Sequence, residues 1–188
     1  MLGELPEPLR GEGVCLRPFV PTDAAAFARA ARESASSVGR WMSWCHEDFS
    51  IGEARAWFAI CAAELAACSA VELGIFAEEG GEMLGGIGLN HLIAEHKLCN
   101  LGYWVRALRQ REGIATRAVR TMAGFGFAEL GLMRIEIVVA EGNVSSAGVA
   151  RKVGALYEGL ARNRLVVGGV SVPAWIFSMV PDSVGLSR

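Results

Sequence analysis

One stretch of this sequence, residues 100–154, constrains the fold more than any other. A strand-like run ends at Val105, and a polar and basic segment, residues 106–111, follows it. Residues 113–130 then carry apolar side chains at helical spacing. Next comes a nearly continuous apolar run, residues 133–140, which predicts a strand buried on both faces. A strand, a basic turn, a helix and a second strand in succession predict a helix packed on a sheet.

The rest of the chain alternates strands and helices in the same manner. A first strand is expected within residues 10–20, and a helix to about residue 32 follows the capping residues 21–23. Ser50 and Glu53 have the spacing of a capping box, which predicts a second helix toward residue 67. Further strands are expected at residues 71–77, 83–93, 98–105, 155–166 and 170–179, with a short helix at 145–153. The predicted order βααβββαβαββ describes one mixed α/β domain over residues 1–188.

Composition and charge exclude several classes of protein. The chain has 188 residues, of which 52% are hydrophobic and 20% charged, as in a globular domain. Its formal net charge is −2, so no strong field favours nucleic acid or an anionic membrane as a partner. The last strand is apolar on both faces, with Pro173 expected at its start. That strand is expected either inside the sheet or at the seam of a homodimer.

The cysteines and the N-terminal segment bear on location and on metals. Five cysteines have irregular spacing and form no CxxC pair, which argues against a zinc or redox site. Residues 1–8 lack the basic and apolar parts of a secretory signal, and no uninterrupted apolar run would span a bilayer. We therefore expect a cytoplasmic protein with reduced cysteines and no metal.

The turn before residue 114 has the chemistry of an anion site. Small residues at positions 113 and 115 let an anion approach the unpaired backbone amides of a helix N-terminus. Arg109 and Arg111 would add positive charge for a phosphate. Glycine spacing alone does not separate this cradle from an ordinary turn with solvated arginines. Walker and dinucleotide loops are excluded, because no Gly-Lys-Ser/Thr follows and only one glycine of three is present.

Several motifs in order resemble one family. They are Leu101-Gly102-Tyr103-Trp104-Val105, Gln110-x-x-Gly113-x-Ala115-Thr116, Asn143-x-x-Ser146, Lys152-x-Gly154 and Glu158-Gly159. Together they resemble the GNAT superfamily of N-acetyltransferases, within it the branch of ribosomal-protein N-terminal acetyltransferases (RimJ/RimL-type). The resemblance covers most of the chain, including Leu16-Arg17-Pro18 and the Trp41–Trp44 loop before Ser50.

The resemblance implies a fold and a co-substrate, acetyl-CoA. The fold is a mixed, mostly antiparallel central sheet with flanking helices, in which the fourth and fifth strands splay apart. The pantetheine arm would lie in that gap, and a backbone N–H near Val105 would polarise the thioester carbonyl. Asn143 would bind the arm, and Ser146 would protonate the leaving thiolate, although both residues could instead cap a helix. The implied contacts to the co-substrate are Tyr103, Trp104, Val105, Gln110, Arg111, Glu112, Gly113, Ile114, Ala115, Thr116, Asn143 and Ser146.

The chain also departs from the family pattern. Ala150 replaces a tyrosine that acts as general acid in many members, and Asn100 replaces a glutamate before the Leu-Gly-Tyr motif. Residues 159–163 offer no carboxylate either. His91, with a near-neutral ordinary pKa, is the best protein candidate for a general base, and water is the alternative. Residues expected to contact the acceptor are Trp41, Trp44, His46, Asn90 and His91.

Three functions remain open at the level of sequence. The first is direct transfer of an acetyl group from acetyl-CoA to a primary amine, with a protein N-terminus as one acceptor. The second is acetylation of a small amine such as a polyamine, an amino sugar or an antibiotic. The third is a degenerate module that binds acyl-CoA without chemistry, consistent with the missing carboxylate and tyrosine.

Overall fold

A computed structural model describes residue 5 and residues 7–184, the last two by backbone alone. Most of the N-terminal segment considered above for a signal, residues 1–4 and 6, lies outside the described residues. The strands are β1 (Leu9–Gly11), β2 (Val14–Arg17), β3 (Val71–Ala77), β4 (Met83–Ile93), β5 (Leu98–Val105), β6 (Arg134–Ala140), β7 (Leu156–Val167) and β8 (Val170–Met179). The α-helices are α1 (Ala24–Glu33), α2 (Ile51–Ala66), α3 (Ile114–Ala128) and α4 (Val144–Lys152).

The predicted first strand is a two-stranded hairpin. β1 and β2 pair antiparallel, with Gly11 opposite Val14. Glu12 and Gly13 form the turn between them, and both have a positive φ (52° and 83°). Two successive residues of positive φ are typical of the tight turns that reverse a hairpin. The hairpin adds one strand to the predicted order, so the splayed pair of strands is β5 and β6.

The eight strands form one sheet in the order β1-β2-β3-β4-β5-β6-β8-β7. Every neighbouring pair is antiparallel except β5 and β6. Those two pair in parallel only from Leu98 opposite Arg134 to Asn100 opposite Glu136. Beyond Asn100 the two strands are unpaired and diverge. The predicted mixed sheet with a splayed central pair is confirmed.

Helices cover the two faces of the sheet unequally. α3 and α4 contribute to one buried apolar cluster, while α1 and α2 contribute to a second one on the opposite face. The prediction that residues 133–140 are buried on both faces is wrong. Ile135, Ile137 and Val139 are buried, whereas the residues between them are only partly so. The reason is that α1 and α2 contact β3 and β4 and leave that face of β6 uncovered.

β8 is an interior strand. It lies between β6 and β7, so both of its edges are paired within the sheet. Pro173 lies within β8 rather than at its start, opposite an irregularity in β7 between Ala161 and Leu165. A proline is tolerated there because it has no N–H to give to the ladder. Its carbonyl accepts a hydrogen bond from the Glu141 N–H at 2.9 Å.

The capping box predicted before the second helix is confirmed. The Ser50 hydroxyl accepts from the Glu53 N–H at 3.1 Å, and the Glu53 carboxylate accepts from the Ser50 N–H at 2.9 Å. This exchange fixes the start of α2, which packs over β3. Among the described residues, no helix is both long and apolar enough to cross a bilayer.

Candidate active site

The gap between β5 and β6, bounded by residues 101–105 and 137–140, offers free backbone groups. The Arg106 N–H donates to the Leu84 carbonyl of β4 at 2.9 Å. Backbone groups alternate in direction along an antiparallel strand, so the amides of Leu101, Tyr103 and Val105 face away from β4. They therefore face the gap, where an extended ligand can take the place of a strand.

The N-terminus of α3 opens at one end of this gap. Gly113 is the residue before the helix and has φ 76°. Residues other than Gly, Asn and Asp rarely adopt this backbone conformation. A Cβ atom at Gly113 would meet no atom within 4 Å, so the backbone faces open space. The first amides of a helix have no partner within the helix, and those of Ile114, Ala115 and Thr116 are available to an anion. The residues thus fit a phosphate group by shape and by charge.

The arginines of the loop divide into two sets. Arg109, predicted to face a phosphate, forms ion pairs with Glu82 and with Glu112, the latter at 2.9 Å. Its charge is therefore largely compensated within the protein. Arg111 has a positive φ of 68° and forms no ion pair among the described residues. We missed Arg117 in the sequence, although it lies on the first turn of α3 and its buried Nε has no hydrogen-bond partner.

The side chain of Gln110 supports the loop from behind. Its Nε2 donates to the Val105 carbonyl at 3.0 Å and to the Ser37 hydroxyl at 3.3 Å. These bonds tie the loop to the end of β5 and to the segment after α1. The Nε2 is thus engaged within the protein, which leaves the Oε1 and the backbone of Gln110 for contact with a ligand.

A pair of hydroxyl groups bridges β5 and α4 across the gap. The Tyr103 and Ser146 hydroxyls are 2.9 Å apart, and the Tyr103 hydroxyl also donates to the Ser146 carbonyl at 3.2 Å. Burial raises the pKa of Tyr103 to about 12, so the phenol stays protonated at neutral pH. The side chain that caps α4 is Asn143, whose Oδ1 accepts from the Ser146 N–H at 3.2 Å. The Ser146 hydroxyl itself is therefore not the cap.

An aromatic cleft of about 450 Å³ lies on the face of the sheet opposite α3 and α4, between α2 and strands β3 to β5. Its apolar lining includes Phe27, Met42, Trp44, Phe49, Trp57 and Trp104. Trp44, predicted to contact the acceptor, is in this lining. Trp41 is not, and it lies instead near Gly142 of the loop before α4. The glycines Gly86 and Gly102 form part of the floor, which brings the cleft to the β5 backbone beside the gap.

A polar row crosses the floor of the aromatic cleft. The Asn100 Nδ2 donates to the Asn90 Oδ1 at 2.9 Å, and the Asn90 Nδ2 donates to the Glu72 Oε1 at 2.9 Å. Burial raises the pKa of Glu72 above its ordinary value, the hydrogen bond from Asn90 opposes that rise, and the charge of Glu64 adds to it. We missed Glu72 in the sequence, where it is one polar position of an alternating strand.

The two predicted histidines differ in their position. His91 is exposed and is not part of the cleft lining. It has φ 50° and lies where the pairing of β4 with β5 is interrupted after Asn90. The structure thus removes the geometric support for His91 as a base. His46 is exposed as well, and its Nε2 lies 3.0 Å from the Oε1 of Glu53, a carboxylate at the cleft.

Ala150, which stands where many relatives carry a catalytic tyrosine, is fully buried between α4 and the sheet. The phenol of Tyr103 reaches the same helix from β5 instead. Within the described residues, no group of three or more His, Cys, Asp and Glu side chains is placed to hold a metal.

Three of the five cysteines are poorly suited to act as nucleophiles. Cys45, Cys61 and Cys99 are buried, and burial raises their pKa values to about 11, 12 and 12. A thiol attacks as the thiolate, which is scarce at neutral pH for such groups. We expect mass spectrometry of the protein incubated with acetyl-CoA alone to show no acetyl-cysteine. A stable adduct on Cys45 or Cys99 would contradict direct transfer.

Comparison with known proteins agrees with this geometry. A family model described as an acetyltransferase (GNAT) domain matches residues 14–156. YdaF of Bacillus subtilis (strain 168), provisionally named a ribosomal N-acetyltransferase, is 29% identical over 164 residues, which cover 85% of this chain and 86% of YdaF.

Solved structures give the same result for the fold. Mycobacterium smegmatis RimJ, in complex with CoA-disulfide, superimposes with a TM-score of 0.85 at 25% identity, covering 95% of this chain and 90% of RimJ. RimL, a ribosomal L7/L12 α-N-protein acetyltransferase in complex with coenzyme A, has a TM-score of 0.84 at 20% identity over 94% of this chain and 99% of RimL. These relatives support the RimJ/RimL-type branch. Because the family model spans most of the sequence and the splayed sheet matches, this chain belongs to the GNAT family of acetyltransferases and is an acyltransferase.

Proposed function

We propose that this enzyme transfers an acetyl group from acetyl-CoA to a primary amine, by direct attack of the amine on the thioester. One observation carries the proposal: the β5 backbone is shared by two sites on opposite sides of it. The gap and the α3 N-terminus offer amides and positive charge to the phosphates and pantetheine arm of acetyl-CoA. The aromatic cleft, which Gly102 and Tyr103 of the same strand help to line, would hold the acceptor amine.

The residues around the gap supply what the reaction needs. Backbone amides of β5 can donate to the thioester oxygen, where negative charge develops as the amine adds. The carbon–sulfur bond then breaks, and the thiolate takes a proton. Ser146 and Tyr103 form a donor pair placed between β5 and α4 for that proton. The amine nitrogen loses its proton on the cleft side.

We propose a protein N-terminus as the acceptor, which the naming of the relative YdaF as a ribosomal N-acetyltransferase supports. An α-amino group has a pKa near 8, so a useful fraction is neutral at working pH. A small amine is the second candidate. It is favoured by the size of the cleft, about 450 Å³, which falls in the range of small-molecule sites.

Release of free CoA thiol, measured against N-terminal peptides, spermidine and amino sugars, tests the proposal. We expect peptides with a free N-terminus to give turnover and their N-acetylated forms to give none. Turnover with spermidine or an amino sugar alone would favour the small-amine function. Binding of acetyl-CoA without turnover of any amine would reject the enzyme function in favour of a binding module.

A further inference from the structure

Glu72 lies at a trough in the sheet surface, formed where Gly88 of β4 and Gly102 of β5 carry no side chains. Glu72 of β3 is in register with Gly88 of β4, and Gly88 is in register with Gly102 of β5. A Cβ atom on Gly88 would lie 1.9 Å from the Glu72 Oε2, so the carboxylate rests directly over that glycine. Any larger residue at position 88 would displace it. The trough therefore turns the Glu72 side chain along the floor, toward β5.

This position brings the carboxylate near the reacting end of the gap. Neighbouring strands are about 4.8 Å apart, so an oxygen over Gly88 is about one strand spacing from Gly102. Gly102 follows Asn100 by two residues, and Asn100 is the last residue of β5 that pairs with β6. A nitrogen between Glu72 and Gly102 would thus lie beside the point where the gap begins.

The two asparagines orient the carboxylate for one ionisation state. A carboxylate only accepts hydrogen bonds, so Asn90 must present its NH₂ to Glu72 and its oxygen to Asn100. Both amide dipoles then point their positive ends toward Glu72. Only one carboxylate oxygen, Oε1, is engaged by Asn90. The other oxygen, over Gly88, keeps its capacity to accept from a ligand.

The charge of the aromatic cleft selects the ligand class. Among the residues that line it, the two with carboxyl or basic side chains are both acidic, Glu53 and Glu72. Glu53 already receives the Ser50 N–H and hydroxyl and lies beside His46 at the mouth. Glu72 is the one on the floor of this cleft, whose lining is largely aromatic. A cationic head group with apolar neighbouring atoms fits both features.

We propose that Glu72 binds the ammonium group of the acceptor and takes its proton, a role that rests on the proposed function. The ammonium gives one proton to the Glu72 carboxylate and becomes a neutral amine. The amine nitrogen forms a bond to the thioester carbon, and the carbon–sulfur bond breaks. The nitrogen loses its second proton to water as the amide forms. The Ser146–Tyr103 pair gives a proton to the CoA thiolate and regains one from water. Glu72 returns its proton to solvent.

The groups that face Glu72 set the expected pH dependence. They are Glu64 and Cys61 of α2, Asn90 of β4 and Glu53 at the edge of the cleft. Protonation of Glu72 removes the base, so kcat/KM should fall on the acidic side. The charge of Glu64 raises the pKa of Glu72. Glu64→Gln should therefore move that acidic limb to lower pH, while Glu72→Gln should abolish it.

Glu72→Gln is the decisive variant, because it keeps the shape and can still accept from Asn90. We expect kcat/KM for the acceptor to fall by roughly 10²- to 10³-fold, within the range for loss of a general base. The dissociation constant of acetyl-CoA and the melting temperature should stay close to wild type, which separates this loss from damage to the gap. Gly88→Ala should reproduce part of the loss by displacing the carboxylate, and Glu72→Asp should retain more activity than Glu72→Gln.

A binding measurement keeps the inference testable without turnover. Calorimetry on enzyme saturated with CoA would use trialanine amide, its N-acetyl form and spermidine as probes. We expect the wild type to bind a free amine and Glu72→Gln to bind it at least tenfold more weakly. An unchanged kcat/KM and acidic limb in Glu72→Gln would overturn the inference, as would a wild type that binds none of the amines. A loss confined to His91→Gln would assign the base to that histidine. Absence of turnover in the wild type with amine binding intact would reject the proposed function instead.

Discussion

Replacing Gly113 with aspartate is expected to weaken acetyl-CoA binding by roughly 10²- to 10³-fold, about 3–4 kcal/mol of binding free energy. Gly113 precedes α3, and a Cβ atom there would project into open space in front of the helix amides. An aspartate would place a negative charge where a phosphate must sit. Two unit charges 4 Å apart repel by about 4 kcal/mol at an effective dielectric constant of 20. Isothermal calorimetry with acetyl-CoA measures the effect.

Gly113→Asn is the matched control for this experiment. Asparagine has the shape of aspartate and tolerates a positive φ equally well, so the backbone strain at φ 76° is the same in both variants. The difference between the two then reports charge alone, and it should shrink as salt is added. Equal affinities in the two variants would show that no phosphate approaches this residue. Wild-type affinity in folded Gly113→Asp would remove the loop from the acetyl-CoA site altogether.

Local patterns predicted most of the secondary structure because its signals are local. The bounds of β3, β4, β5 and β8 agree with the predicted runs, since alternation, turns and breaks are read from neighbouring residues. The β1–β2 hairpin escaped notice because its turn depends on the backbone of Glu12, which has no turn signature of its own. The one-sided burial of β6 was also inaccessible, since it depends on where α1 and α2 pack.

The site residues also divide into those that neighbouring residues define and those that depend on contacts distant in the sequence. Gly113 and Asn143 act through backbone and capping geometry that a few adjacent residues define. By contrast, Arg109 is compensated by Glu82, 27 residues away, so no local pattern distinguishes it from a free arginine. Glu72 becomes visible only once the register places it over Gly88 and beside Asn90. A carboxylate is thus present on another strand, connected to Asn100 through Asn90.

Tyr103 and Ser146 are expected to act as one proton-donating unit. Their hydroxyls are 2.9 Å apart across the gap, and Asn143 already caps α4. Loss of a positioned acid lowers kcat by about 10²- to 10⁴-fold, and we expect the low end because a thiol is an acceptable leaving group. Ser146→Ala and Tyr103→Phe should each lower kcat about 10²-fold with little change in KM for acetyl-CoA. A double variant should be scarcely slower than either single one, because the second change removes a partner of a unit already broken.

The pair could instead only fasten β5 to α4, and the same variants distinguish that role. A purely structural hydrogen bond contributes about 1 kcal/mol, so each single variant would lower the melting temperature and leave kcat nearly intact.

The burial that raises the pKa of Tyr103 to about 12 keeps the phenol protonated through the working range. Tyr103→Phe should consequently leave the shape of the pH profile between about 6 and 9 unchanged while lowering its height. A new basic limb, or full kcat with a lowered melting temperature, would contradict proton donation by this pair. With an acetyl donor whose thiol is more acidic than that of CoA, both variants should recover most of the lost rate, since a better leaving group needs less protonation.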